Sequence, residues 1–92
     1  MILHLIQKSP FESDVFTQCT NAAIDGDKVL LMQDGVYGIQ HNDILNSGFD
    51  IYALTDDIQA RGLNISSSNI TPINYEEFVS LCSKTNSCIS WY

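Results

Sequence analysis

Short apolar runs alternate with amphipathic stretches along the 92-residue chain. "ILHLI" (2–6), "KVLLM" (28–32) and "FDIYAL" (49–54) are continuous enough to be buried strands. Ile70 to Ile73 predict a fourth, which Pro72 places at an edge or makes irregular, and "CISWY" (88–92) is a candidate fifth. Between these runs the apolar period becomes helical. Phe11, Val15, Cys19, Ala22 and Ala23 fall on one stripe, with Ser9 as N-cap, Pro10 at the first helical position and Glu12 completing a capping box. Asp25-Gly26-Asp27 then turns the chain. Tyr37 to Leu45 holds a short helix, with Asn42 and Asp43 offering a second start. Thr55 caps the next, Asp56 and Asp57 suit its positive end, and Gly62 closes it after Arg61. After the polar "SSSN" loop (66–69), Asn74 caps a last helix on which Tyr75, Phe78, Val79 and Cys82 share a face.

Strands that alternate with helices imply β-α-β units. The expected fold is α/β, a three-layer α/β/α arrangement around a mainly parallel sheet of four to five strands. Ligands of such sheets collect at the carboxyl ends of the strands. Here those ends are Gln7-Lys8, Gln33-Asp34-Gly35 and Thr55-Asp56-Asp57. The second is the sharpest corner. Asp34 is suited to cap the segment that starts at Val36, and Gly35 to supply the positive φ of a tight turn. The turn would send Val36, Tyr37 and Ile39 away from the sheet, where some of them pack at a subunit contact. A phosphoacceptor role for Asp34 lacks the acidic companions that would bind magnesium after the first strand.

Composition narrows the chemistry. The chain is one domain over residues 1–92. At that length it buries only ~60–65% of its unfolded surface, a marginal core that partner subunits would complete. A net charge of −7 from 11 acidic and 4 basic residues argues against direct nucleic-acid binding. No apolar run approaches the ~20 residues of a membrane span, and "MILHLIQKSPF" lacks the features of a signal peptide, so a cytoplasmic protein is expected. Three cysteines, an odd number without framework spacing, fit reduced thiols.

Without a glycine-rich phosphate loop or a second ligand near His4 or His41, no cofactor and no metal is expected. His4, inside an apolar strand, reads as a core or interface histidine with a satisfied ring nitrogen. Cys82 and Cys88, with five residues between them, lack the spacing of a thioredoxin-type redox pair. Cys82 reads as packing, and nothing near Cys88 would lower its pKa. Cys19 is the thiol most evenly balanced between core and chemistry.

Several phrases together resemble the TusB/DsrH family of small sulfur-relay proteins: "LHLIQKSPF", "GDKVLLMQDGVYGI", "IYALTDDIQARGL", "INYEEFVSLC" and the late Trp91. The resemblance implies the DsrE/F/H-like fold and assembly with TusC-like and TusD-like (DsrF-like and DsrE-like) subunits, commonly as a heterohexamer with two copies of each. It implies an accessory subunit of a sulfurtransferase complex, since the main sulfur-carrying cysteine belongs to the TusD/DsrE-type partner. In the Tus branch such a complex supports 2-thiolation of the tRNA wobble uridine. In the Dsr branch it handles sulfur during sulfur oxidation. The two branches meet at Cys19, which matches the first-helix cysteine of DsrH-type members and is the candidate persulfide thiol. Trp91 resembles the TusB side. A generic protein-binding module is the remaining alternative.

Overall fold

Five strands pair side by side, all parallel, in the order β4-β3-β2-β1-β5: β1 (Ile2–Ile6), β2 (Lys28–Leu31), β3 (Asp50–Leu54), β4 (Ile70–Ile73) and β5 (Ser87–Trp91). The computed structural model describes residues 1–65, 69–85 and 87–91. From β1 to β4 the chain steps one strand at a time in one direction. Right-handed crossovers therefore lay α1 (Val15–Ala22), a 3₁₀ segment (Gln33–Gln40), α2 (Asn42–Leu45) and α3 (Thr55–Ala60) on a single face. The last crossover runs back across the whole sheet to β5. That reversal puts α4 (Tyr75–Lys84) on the opposite face. The expected three layers are present, with one helix alone in the third.

The continuous apolar runs are explained by this two-sided cover. Ile6, Val29, Leu31, Ile51, Ala53 and Ile70 face the crowded side, beneath Val15, Phe16, Cys19, Val36, Ile39, Ile44 and Ile58. Leu3, Leu30, Leu54 and Ile73 point the other way, toward half-buried Phe78, Leu81 and Cys82 of α4. Each such fully buried aliphatic side chain contributes about 1.5–3 kcal/mol of transfer free energy. α4 has no fully buried residue, and Tyr75 and Val79 are 60% and 52% exposed. The helix shields its face of the sheet only in part.

Local signals hold at several places. Asn74 and Glu77 form a complete capping box, each side chain accepting from the other's backbone N–H at 2.8 and 3.0 Å. Gly62 ends α3 at φ +66°, and Pro72 lies in the edge strand β4. The first helix needs correcting. Ser9 Oγ accepts from Phe11 N–H at 3.2 Å, but the chain makes only a turn there, and α1 starts at Val15 beside Ser13. Phe11 leaves the predicted stripe, 60% exposed, and sets its ring 5.0 Å from that of His41. Phe16 takes its place in the core, beside the predicted Val15 and Cys19.

Candidate functional site

The carboxyl-end corner is built around a backbone contact. Gly35 lies so close to β1 that an added Cβ would sit 2.0 Å from the carbonyl oxygen of Ile6. The same oxygen accepts from Met32 N–H at 3.0 Å, which pins the approach. Gly35 is therefore required for space, whereas the positive φ expected of it belongs to Gln33, at 51°. Gln33 gives its N–H to Asp57 at 2.7 Å. Asp34 caps no helix end. Its Oδ1 accepts from Arg61 Nε and Nη2 at 3.1 and 2.9 Å, and Arg61 also lies 3.8 Å from Asp57. This ion-pair triplet staples the 3₁₀ segment to α3.

Of the apolar residues after the corner, Val36 and Ile39 turn into the chain's own core. Tyr37 stays half-buried and lines, with Ser9, Phe11, Glu12 and Asp34, an open cleft at the carboxyl ends. A second open cleft lies elsewhere, at the amino ends of β3 and β4 around Phe49, Asp50 and Asn69. Among the described residues no three His, Cys, Asp or Glu side chains come together as metal ligands.

Cys19 sits on the inner side of α1 with 0% exposure. Burial, with Asp27 nearby, pushes its thiol up to about 12, so at neutral pH it is protonated and sealed among Ile and Val side chains. A buried thiol of this kind packs as a small apolar group.

A polar chain that the sequence reading did not assemble crosses the sheet from Trp91, at the carboxyl end of β5, through His4 to Asp27, at the amino end of β2. Trp91 Nε1 donates to His4 Nδ1 at 3.0 Å, and His4 Nε2 lies 2.9 Å from Asp27 Oδ2. An indole N–H can only donate, so Nδ1 is the acceptor and the ring proton sits on Nε2, shared with Asp27. Asp27 also accepts from the N–H groups of Ile2 and Ile24 at 3.0 and 3.2 Å. The His4 hydrogen bond, aided by those backbone donors, holds the Asp27 carboxyl below its usual range despite desolvation. Asp27 and His4 have side chains only 2% accessible. The chain clamps β1, the start of β2 and β5 together. His4 thus has both ring nitrogens satisfied, and the clue to its partner was the second aspartate of "DGDK", which a turn reading leaves in solvent.

The other constellation missed is sulfur on sulfur. Cys82 of α4 and Cys88 of β5 bring their Sγ atoms to 3.3 Å.

Comparison with known proteins agrees with this architecture. A model of the family described as "DsrH like protein" matches residues 8–88. Protein TusB from Escherichia coli (strain SMS-3-5) is 40% identical over 98% of this chain and 100% of its own length. Protein TusB from Shigella boydii serotype 18 is 38% identical with the same coverage. The solution NMR structure of protein Tm0979 from Thermotoga maritima superposes with a TM-score of 0.72 at 30% identity, covering 90% of this chain and 92% of that one. With the family model spanning almost the whole chain and full-length relatives near 40% identity, this chain belongs to the DsrH-like, or TusB/DsrH, family.

Proposed function

We propose that the chain is an accessory, non-catalytic subunit of a cytoplasmic sulfur-relay complex, and that it supports 2-thiouridine formation at the tRNA wobble position. The observation that carries this reading is the state of Cys19. The thiol that would make the chain a sulfur carrier is wholly buried and held protonated, so sulfur transfer is left to a partner. Membership of the TusB/DsrH family is consistent with partners in a complex, and the proposal takes them to be TusC-like and TusD-like subunits, two copies of each per heterohexamer. Support for assembly comes from apolar surface the single chain leaves uncovered: Tyr75 and Val79 on α4, and Phe11 beside half-buried Tyr37 at the carboxyl-end cleft. The net charge of −7 leaves contact with tRNA to a more basic subunit.

Co-expression with TusC-like and TusD-like subunits, followed by pull-down and by thiouridine analysis of tRNA from a deletion strain, tests the proposal. We expect co-purification, loss of wobble thiolation on deletion, and restoration by a Cys19→Ala chain. A Cys19→Ala chain that assembles normally but restores no thiolation would overturn the accessory reading in favour of persulfide transfer through Cys19. Unchanged thiolation on deletion would overturn the tRNA assignment.

A further inference from the structure

α4 ends at Lys84 and β5 begins at Ser87, so the chain reverses within a few residues between helix and strand. The reversal folds Cys82 over Cys88, with their sulfurs 3.3 Å apart against the ~2.0 Å of a disulfide bond. Thr85 lies within the reversal. Its hydroxyl donates to the Cys82 carbonyl at 3.0 Å and sits 3.9 Å from Cys88 Sγ. The two thiols differ in setting. Cys88 is exposed, while Cys82 is half-buried against the small core cluster beneath α4. Cys19 lies across the sheet, in the core cluster of the other face, and cannot compete for either.

We propose that Cys82 and Cys88 form a dithiol site that reduces low-molecular-weight disulfides and closes to an internal disulfide. Cys88, in solvent, is the attacking thiol, and Cys82 is the resolving one. Burial, then contact with Cys88, raises the Cys82 thiol to about 11, which leaves Cys88 to begin the exchange. The Cys88 thiolate attacks one sulfur of the small disulfide, forms a mixed disulfide and releases one small thiolate. Cys82 loses its proton to solvent and attacks Cys88 Sγ. That step forms the Cys82–Cys88 bond and expels the second small thiolate. Two protein thiols are oxidised, one disulfide is reduced to two thiols, and the charge balances through protons exchanged with water. The product ties the end of α4 to the outer strand β5, and excess external thiol reverses it. The site is independent of the relay reading, because neither cysteine figures in it.

The test is equilibration of the purified full chain with mixtures of oxidised and reduced glutathione, acid quench, alkylation under denaturing conditions and mass mapping. Trypsin cuts after Lys84, so the two cysteines part into separate peptides unless they are bonded. In wild type we expect a linked pair of peptides from a monomeric chain, two hydrogens lighter and restored by dithiothreitol, with Cys19 alkylated throughout. In Cys82→Ser, glutathione should remain on Cys88 about tenfold longer than in wild type, because no neighbouring thiol displaces it. In Cys88→Ser, Cys82 should stay unmodified. A wild-type chain that accumulates glutathione on Cys88 without the internal link overturns the proposal, as does a Cys88–Cys88 link between two chains.

Discussion

Replacing Gly35 with alanine isolates one contact of the fold. The added methyl would meet the Ile6 carbonyl oxygen at 2.0 Å and its carbon at 2.8 Å, where ordinary contact begins at 3.4 Å. Relief requires the 3₁₀ segment and β1 to part by about 1.4 Å at a packed core position. Both sides resist. Ile6 and Val36 are fully buried, and the Ile6 oxygen is bonded to Met32 N–H. Overpacking of this kind costs about 1–3 kcal/mol, and weakening the hydrogen bond adds about 1 kcal/mol. We take roughly 3 kcal/mol, from a total of about 5–14 kcal/mol for a domain of this size. At about 4–8 °C per kcal/mol, thermal unfolding followed by far-UV circular dichroism should show a midpoint lowered by about 12–24 °C. Gly48→Ala is the control. Gly48 has φ +82° and nothing within 4 Å of an added Cβ, so it reports backbone conformation without a clash. Its cost of about 1 kcal/mol lowers the midpoint by about 4–8 °C. A Gly35→Ala midpoint within about 5 °C of wild type, or equal to that of Gly48→Ala, would refute the close-approach argument.

Trp91→Phe should leave His4 Nδ1 without its donor, cost about 1–2 kcal/mol, and speed amide exchange in β5 more than in β2; equal exchange in both strands would count against the clamp. Asp34→Ala should cost under about 1 kcal/mol, because the carboxylate is 62% exposed and Arg61 retains Asp57. Its effect should fade in high salt, and urea titrations at two ionic strengths check this. Asp27, whose folded pKa lies below the unfolded value, binds fewer protons folded than unfolded as the pH falls through that range. Its stabilisation is therefore present above the ordinary aspartate range and is lost on acidification, whereas an Asp27→Asn chain should show a shallower acid limb in pH-dependent melts. Iodoacetamide at pH 8 should label Cys88 first and Cys19 only on unfolding, and rapid native labelling of Cys19 would contradict its burial.

Much of the sheet was legible because its strands are buried on both faces and need unbroken apolar runs. The edge position of β4 followed from Pro72, and the start of α4 from Asn74 and Glu77. The start of α1 was hidden by a conflict between local and tertiary terms. Ser9-Pro10-Phe11-Glu12 carries every local signal of a helix start, but Phe11 is drawn to His41 and the helix waits until Val15. At Gly35 the residue type was informative and its reason ambiguous, since positive φ and close approach both demand glycine. Distance decides which, and a sequence holds no distances. The same limit applies to Asp27, whose burial depends on a histidine 23 positions away. Cys82 and Cys88 are near in sequence, yet their contact depends on how sharply the chain reverses between helix and strand.

The clamp joins residues 87 positions apart, because the fifth strand of the sheet in chain order lies against the first. During synthesis β1 gains its β2 neighbour early, while its other edge waits for residues 87–91. At about 5–20 residues per second, that wait lasts about 4–17 s. Throughout it, one of the most apolar strands presents open backbone groups to other nascent chains, and His4 lacks the indole that completes its hydrogen bonds. Arrival of β5 is thus the event that takes β1 from the edge of the sheet into its interior.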